Sequence, residues 1–266
     1  MKIANVLPLL CFVLLSFQSK AQPELFNDIE EILKSKQNTI TLPEFLDILG
    51  LDGLAYLQEQ TIENVELENL QKFEFFYSVT FRTTWFRFQF LTDNSHALLF
   101  SSVELLGERS ERQKVFTQVH KDFNYYMSKH ESFYNVKIDT YDSEMLPFIN
   151  YTFGTGCEWL GQVPPKCEKM FEMVRKKDKA ALLKWVKSMN PAIQTYGVLG
   201  LYLLKKKRND KLSLKKKDRK LIEYVRQKDT VLEHCSMLDP IDQISMKSVL
   251  TDSYMESVWY AFKDQL

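Results

Sequence analysis

Residues 178–208 read DKAALLKWVKSMNPAIQTYGVLGLYLLKKKR, and the placement of this stretch decides the fold. Tyr196 to Leu204 is an unbroken apolar run, closed by the four cations Lys205 to Arg208. Three readings compete: a membrane helix with a basic stop, a basic ligand site, or one buried layer of a helical stack. The run has nine residues, far short of the ~20 that a membrane-crossing helix needs. A helix apolar on every side belongs between packed layers. Gly197 and Gly200 each cost about 1 kcal/mol of helix propensity, which makes sense where a neighbouring helix must come close. Asp178 is placed to cap a helix carrying Leu182, Trp185, Val186 and Met189. Asn190-Pro191 opens the next one, with proline in its favoured first turn.

Working outward, Cys167, Met170, Phe171 and Val174 recur at i, i+3, i+4 and i+7, the stripe of an amphipathic helix. A further helix is expected from Ser213 to Arg226 with Leu214, Leu221, Ile222 and Val225. Another is expected at the C-terminus, where Tyr254, Val258, Phe262 and Leu266 fall four apart. Short connections make such helices antiparallel neighbours. Residues 182–204, LLKWVKSMNPAIQTYGVLGLYLL, resemble the helix–turn–helix pair of a HEAT repeat. Gln194 stands where such repeats often carry an arginine, and no clear second copy follows at a 40-residue period. What the resemblance implies is a binding scaffold.

The first half has a different period. Gln22 to about Gln60 reads helical, with Leu25, Ile29 and Leu33 on one stripe, and Thr41 is set to cap a short helix carrying Phe45, Leu46 and Leu49. Phe73, Phe75, Tyr77, Val79 and Phe81 then alternate with polar residues, as in a half-buried strand. Beyond Thr83-Thr84 the phase flips to Phe86, Phe88 and Phe90, so a bulge or a turn must intervene. Ala97 to Val103 returns as another strand, making residues 65–106 an antiparallel meander. Ser110 is expected to cap a helix to about Lys129 with Val115, Val119 and Phe123 inward, and a short strand is expected at Asn135 to Thr140. The fold class is therefore α+β: an antiparallel β-meander with packed helices over 22–150, then an all-α, HEAT-like helical domain over 151–266.

Residues 1–21 read as a secretory signal peptide: Lys2, an apolar stretch from Ile3 to Phe17, and Ser19-Lys20-Ala21 before a cut. The expected location is the periplasm or outside the cell, where disulfides form. Cysteines 157, 167 and 235 remain after the cut. A Cys157–Cys167 pair across the bent loop GTGCEWLGQVPPKC is favoured, worth roughly 2–3 kcal/mol in the chain-entropy model. Cys167–Cys235 is its rival.

Charge is sharply divided. Residues 166–228 hold 20 Lys and Arg against 6 Asp and Glu, while the rest of the chain after Ala21 holds 13 against 29. Lys205, Lys206, Lys207 and Arg208 face Lys215, Lys216, Lys217, Arg219 and Lys220 across one inter-helix loop. They are candidates for holding an anionic lipid or polysaccharide such as lipopolysaccharide, or a solvated helical face. Nucleic acid is not expected, because no aromatic residues are interleaved with these lysines. No HExxH, GxSxG or phosphate-loop motif occurs, so no catalytic, metal or cofactor site is expected. Asp139, Asp142 and Glu144 read as a plain acidic loop before a calcium site, and Cys235 beside His234 as a leftover thiol before a nucleophile. The leading functional expectation is non-catalytic binding of a protein partner in the envelope or outside. Binding of an anionic surface comes next, and an enzyme with an unrecognised site last.

Overall fold

The computed structural model describes residues 22–36, 40–49, 58–62, 70–77, 85–93, 95–107, 112–120, 122–139, 141–147, 149, 151–157, 162–209, 211–235 and 242–266. The expected signal peptide, the phase change at Thr83 and the Ser110 cap lie outside these residues. Two compact units are present, one spanning Met1–Gln60 with Asn69–Tyr125, the other Thr61–Glu68 with Tyr126–Leu266. The division thus falls at Tyr125/Tyr126, and residues 126–150 pack with the helical unit instead of with the sheet.

In the first unit, helices α1 (Gln22–Ser35) and α2 (Leu42–Ile48) accompany a sheet. Thr41 and Glu44 form a reciprocal capping box at the start of α2. The strands are β1 (Gln58–Ile62), β2 (Leu70–Tyr77), β3 (Trp85–Thr92), β4 (Leu98–Leu106) and β5 (Arg112–Val119), in the order β1-β2-β3-β4-β5. β2 and β3 pair antiparallel with Tyr77 opposite Phe86, so the aromatic run is two strands and not one. Phe86, Phe88 and Phe90 are buried with Leu25, Ile29 and Phe45, whose ring lies 5.1 Å from that of Phe90. On the alternate positions Arg87 bridges Glu74 at 2.7 Å and Glu104 at 3.5 Å, which is why the period of two was so clear.

β5 corrects an expectation. Val115 and Val119 do not face inward on a helix; they are 48% and 42% exposed on a strand paired with β4. Their spacing of four imitated a helical stripe, while Val, Phe and Thr side chains suit a pleated edge and β4 offered a ladder. The helix, α3 (Phe123–Tyr134), starts only after His120. Residues 135–139 are irregular, not a strand, and β1 adds a strand where helix was expected.

The second unit carries α4 (Pro165–Arg175), α5 (Lys179–Val186), α6 (Pro191–Lys207), α7 (Lys216–Arg226), strands β6 (Val231–His234) and β7 (Asp242–Ser245), α8 (Met246–Val249) and α9 (Asp252–Phe262). It is therefore mainly helical but not all-α, since β6 and β7 pair antiparallel. Asp178 caps α5 and Asn190 caps α6. Ala192 to Leu201, Leu203 and Leu204 are all buried, so α6 is the central layer of the unit. A Cβ added at Gly197 would stand 2.5 Å from Val186 N, and one at Gly200 2.4 Å from Leu182 Cδ2; the glycines are what let α5 lie so close. Among the described residues no helix is long and apolar enough to cross a membrane.

The disulfide joins Cys157 to Cys235, with their Cα atoms 5.1 Å apart, and not Cys157 to Cys167. Cys167 is the leftover thiol, sealed in α4 among core residues by the same helical stripe that the sequence shows. The segment around Phe153 runs alongside β6, with Phe153 N–H donating to Glu233 O at 2.7 Å and Cys235 N–H to Phe153 O at 2.9 Å; this pairing brings the two cysteines together. From α6 the Tyr196 hydroxyl donates to Gly154 O at 2.9 Å and ties the clamp to the central helix.

Candidate functional site

The nine candidate cations divide by position. Lys205, Lys206 and Lys207 occupy the last turn of α6 and Arg208 its C-cap, where positive charge complements the helix dipole. Lys206 pairs with Glu256 of α9 at 2.9 Å, and Glu256 also accepts from the Tyr202 hydroxyl. Lys207 donates to the Leu266 carbonyl oxygen. Lys206 and Lys207 therefore hold the C-terminal helix in place, while Lys205 and Arg208 are exposed.

The second group is different. Lys215 is the N-cap of α7 and makes no side-chain cap bond, while Lys216, Lys217, Arg219 and Lys220 follow in the first two turns. Positive charge at a helix N-terminus opposes the dipole, so these residues do not serve α7 itself. Among the described residues no carboxylate lies within ion-pair distance of any of the five.

Two of them, Lys217 and Lys220, line a cleft of about 250 Å³ between the end of α3 and α7, and Lys187 at the end of α5 supplies a third ammonium. Aromatic side chains, Phe133, Tyr134 and Tyr224, with Leu221 beside them, form the floor. The ring centroids of Phe133 lie 4.9 Å from Tyr134 and 5.1 Å from Tyr224. Asp218 and Asn135 complete the lining; Asp218 is buried, and Asn135 ends α3 at a positive φ of 47°.

Behind the floor sits Lys228, only 8% exposed. Its ammonium lies 5.3 Å from the Tyr134 ring centre and 5.1 Å from that of Tyr224, donating to Tyr134 Oη at 2.7 Å and Gln194 Oε1 at 3.1 Å. At Tyr134 the ammonium meets the hydroxyl edge and is held by that hydrogen bond, while the Tyr224 ring is placed to attract it through its quadrupole. His130 stacks on Tyr134 at 4.2 Å and its Nε2–H donates to Lys187 O at 2.8 Å. Burial pulls the His130 pKa down to about 4, with the Lys187 carbonyl opposing and Lys228 adding to the shift. The ring is therefore neutral at pH 7.

The arrangement can hold an anion beside an apolar body. It places no nucleophile next to a base. Elsewhere, Ser101 Oγ and His120 Nε2 lie 3.3 Å apart, but both residues are buried within the first unit. Cys235 is spent in the disulfide, and burial pushes the Cys167 thiol well above its usual range. In the acidic loop Asp142 pairs with Lys184 at 2.7 Å. Glu144 accepts from Lys166 and Lys169, each at 2.6 Å, and from Trp185 Nε1 at 3.0 Å; these carboxylates fasten the loop to α4 and α5.

Sequence reasoning named Lys217 and Lys220 but missed Lys187, Phe133, Tyr134, Tyr224 and Lys228. A signal for Lys228 existed: Leu221, Tyr224, Val225 and Lys228 fall at i, i+3, i+4 and i+7, which puts a lysine in line with the apolar stripe of α7, two residues past its end at Arg226. The α3 residues carried none, because their partners come from α5 and α7. No protein-family model, curated protein or solved structure matches the chain.

Proposed function

We propose that the second unit recognises an anionic, phosphate-bearing ligand, and that the anion sits in the cleft between α3 and α7. The observation that supports this is the lysine rim over an aromatic floor, with Lys217 and Lys220 lacking a carboxylate partner among the described residues. A solvated helix face needs no such floor, and cations beside low-dielectric walls attract an anion more strongly than cations in open water. The role is one of binding, in keeping with the scaffold that the HEAT-like α5–α6 pair suggests. A disulfide suits an oxidising compartment, so the reading includes export to the envelope or outside, where lipopolysaccharide and phospholipids present phosphate.

A second reading, capture of a protein partner, is favoured by one observation. Tyr141, Tyr260 and Phe133 are 94%, 63% and 50% exposed, large aromatic anchors of the kind that dominate protein interfaces. Two measurements on the oxidised full chain test the first reading: amide shifts of Lys217, Lys220 and Tyr224 on addition of inorganic phosphate, and co-sedimentation with vesicles containing anionic phospholipid. Binding that falls with salt and is abolished by the pair Lys217→Glu and Lys220→Glu is expected. Absence of both responses at low salt overturns the reading.

A further inference from the structure

We infer that the ligand of the α3–α7 cleft is a phosphorylated sugar, its phosphate on the lysine rim and its ring on the exposed face of Phe133. The inference rests on the anion-recognition reading above and adds the chemical class of the ligand.

The cations of the lining are Lys187, Lys217 and Lys220, with no arginine among them. An ammonium is a point charge that binds phosphate without the planar fork by which a guanidinium grips carboxylates and phosphates alike. The same lining holds Asp218, a buried carboxylate. A carboxylate repels a bare anion, so the ligand must bring hydrogen-bond donors along with its charge. Sugar hydroxyls are such donors, and the Asn135 side chain beside them both donates and accepts.

Phe133 is half exposed while its ring is fixed against Tyr134 and Tyr224. A free phosphate leaves that face in water, but the C–H face of a pyranose covers it. The cleft volume, about 250 Å³, lies just below the ~300–1,000 Å³ of pockets that enclose drug-sized molecules. This suits one sugar ring with its phosphate. Lys228 stands behind the Tyr134 and Tyr224 rings and adds positive potential through the floor without reaching the ligand.

The test is calorimetric titration of the oxidised full chain at low salt with inorganic phosphate, glucose, glucose 6-phosphate and lipopolysaccharide. Glucose 6-phosphate is expected to bind about tenfold tighter than inorganic phosphate, and Phe133→Ala to remove that advantage while leaving phosphate binding in place. Asp218→Asn is expected to tighten binding of inorganic phosphate and weaken binding of glucose 6-phosphate, opposite signs that loss of folding cannot produce. Competition between lipopolysaccharide and glucose 6-phosphate identifies an envelope glycolipid as the source, and its absence identifies a soluble sugar phosphate; both support the class. Equal affinity for phosphate and glucose 6-phosphate, unchanged by Phe133→Ala, overturns the sugar and leaves anion recognition standing. Silence of every phosphate probe, anionic vesicles included, overturns both.

Discussion

Replacing Gly197 by alanine sets two effects against each other inside α6. In an isolated helix the change is stabilising by about 1 kcal/mol. In this helix the new methyl meets backbone: Val186 N at 2.5 Å and the Trp185 carbonyl carbon at 2.8 Å. Unstrained heavy-atom contacts lie near ~3.5–4.0 Å, so α5 must retreat by about 1 Å. Overpacking of this kind costs typically ~1–3 kcal/mol, and the upper end applies where backbone, not a side chain, must move. Subtracting the propensity gain leaves a net loss of about 2 kcal/mol. Gly200→Ala is the internal control. Its methyl meets Leu182 Cδ2 at 2.4 Å and Met170 Cγ at 2.9 Å, a closer first contact, but with flexible side chains that can turn aside. Its net cost is therefore about 1 kcal/mol or less. Equilibrium urea unfolding, followed by far-UV circular dichroism and by tryptophan fluorescence, to which buried Trp185 contributes, measures both. Gly197→Ala must cost more than Gly200→Ala. If it stabilises instead, or if the order reverses, the tight α5–α6 approach does not explain the glycines.

Three further outcomes follow from single features. The folded pKa of His130, about 4, lies below its ordinary value of 6.5, so its contribution is complete above pH 6.5 and is lost as pH falls toward 4. The loss reaches about 3 kcal/mol, and urea unfolding from pH 7 to 4 should show a gentler pH slope for His130→Phe than for the native chain; equal slopes refute it. The Cys157–Cys235 bond closes a separation of 78 residues, worth about 4 kcal/mol in the chain-entropy model. The double serine variant should lose roughly this much in urea, and non-reducing peptide mapping should find Cys167 as a free thiol in the native chain. Thr41→Ala removes one arm of the capping box at α2 and should cost about 1 kcal/mol by thermal unfolding.

Much of the architecture was legible because its signals are local. Asp178 and Asn190-Pro191 begin α5 and α6 where their side chains were expected to cap, since a cap depends on atoms three residues away. Phe86, Phe88 and Phe90 announced a strand because alternation is a property of the backbone itself. Val115 and Val119 misled because spacing of four fits a helix, while what made them a strand was the ladder offered by β4, where their partners are Glu104 and Phe100. Cys235 was set aside as a leftover thiol because its partner is 78 residues distant and is chosen by the pairing of Phe153 with β6, not by loop length. Likewise the basic run was visible as charge, but its division into lysines that hold α9 and lysines that rim a cleft was not.

By itself the sequence determined the α+β class, the buried status of the run ending at Leu204 and the glycines that permit it, because periodicity, capping and steric size act over a few residues. Only the tertiary structure decided which cysteine pairs with Cys157, which lysines line the cleft beside α7, and that Phe133, Tyr224 and Lys228 converge on one place. Those outcomes depend on contacts between segments tens of residues apart, and such contacts are selected by the packing of whole helices around α6.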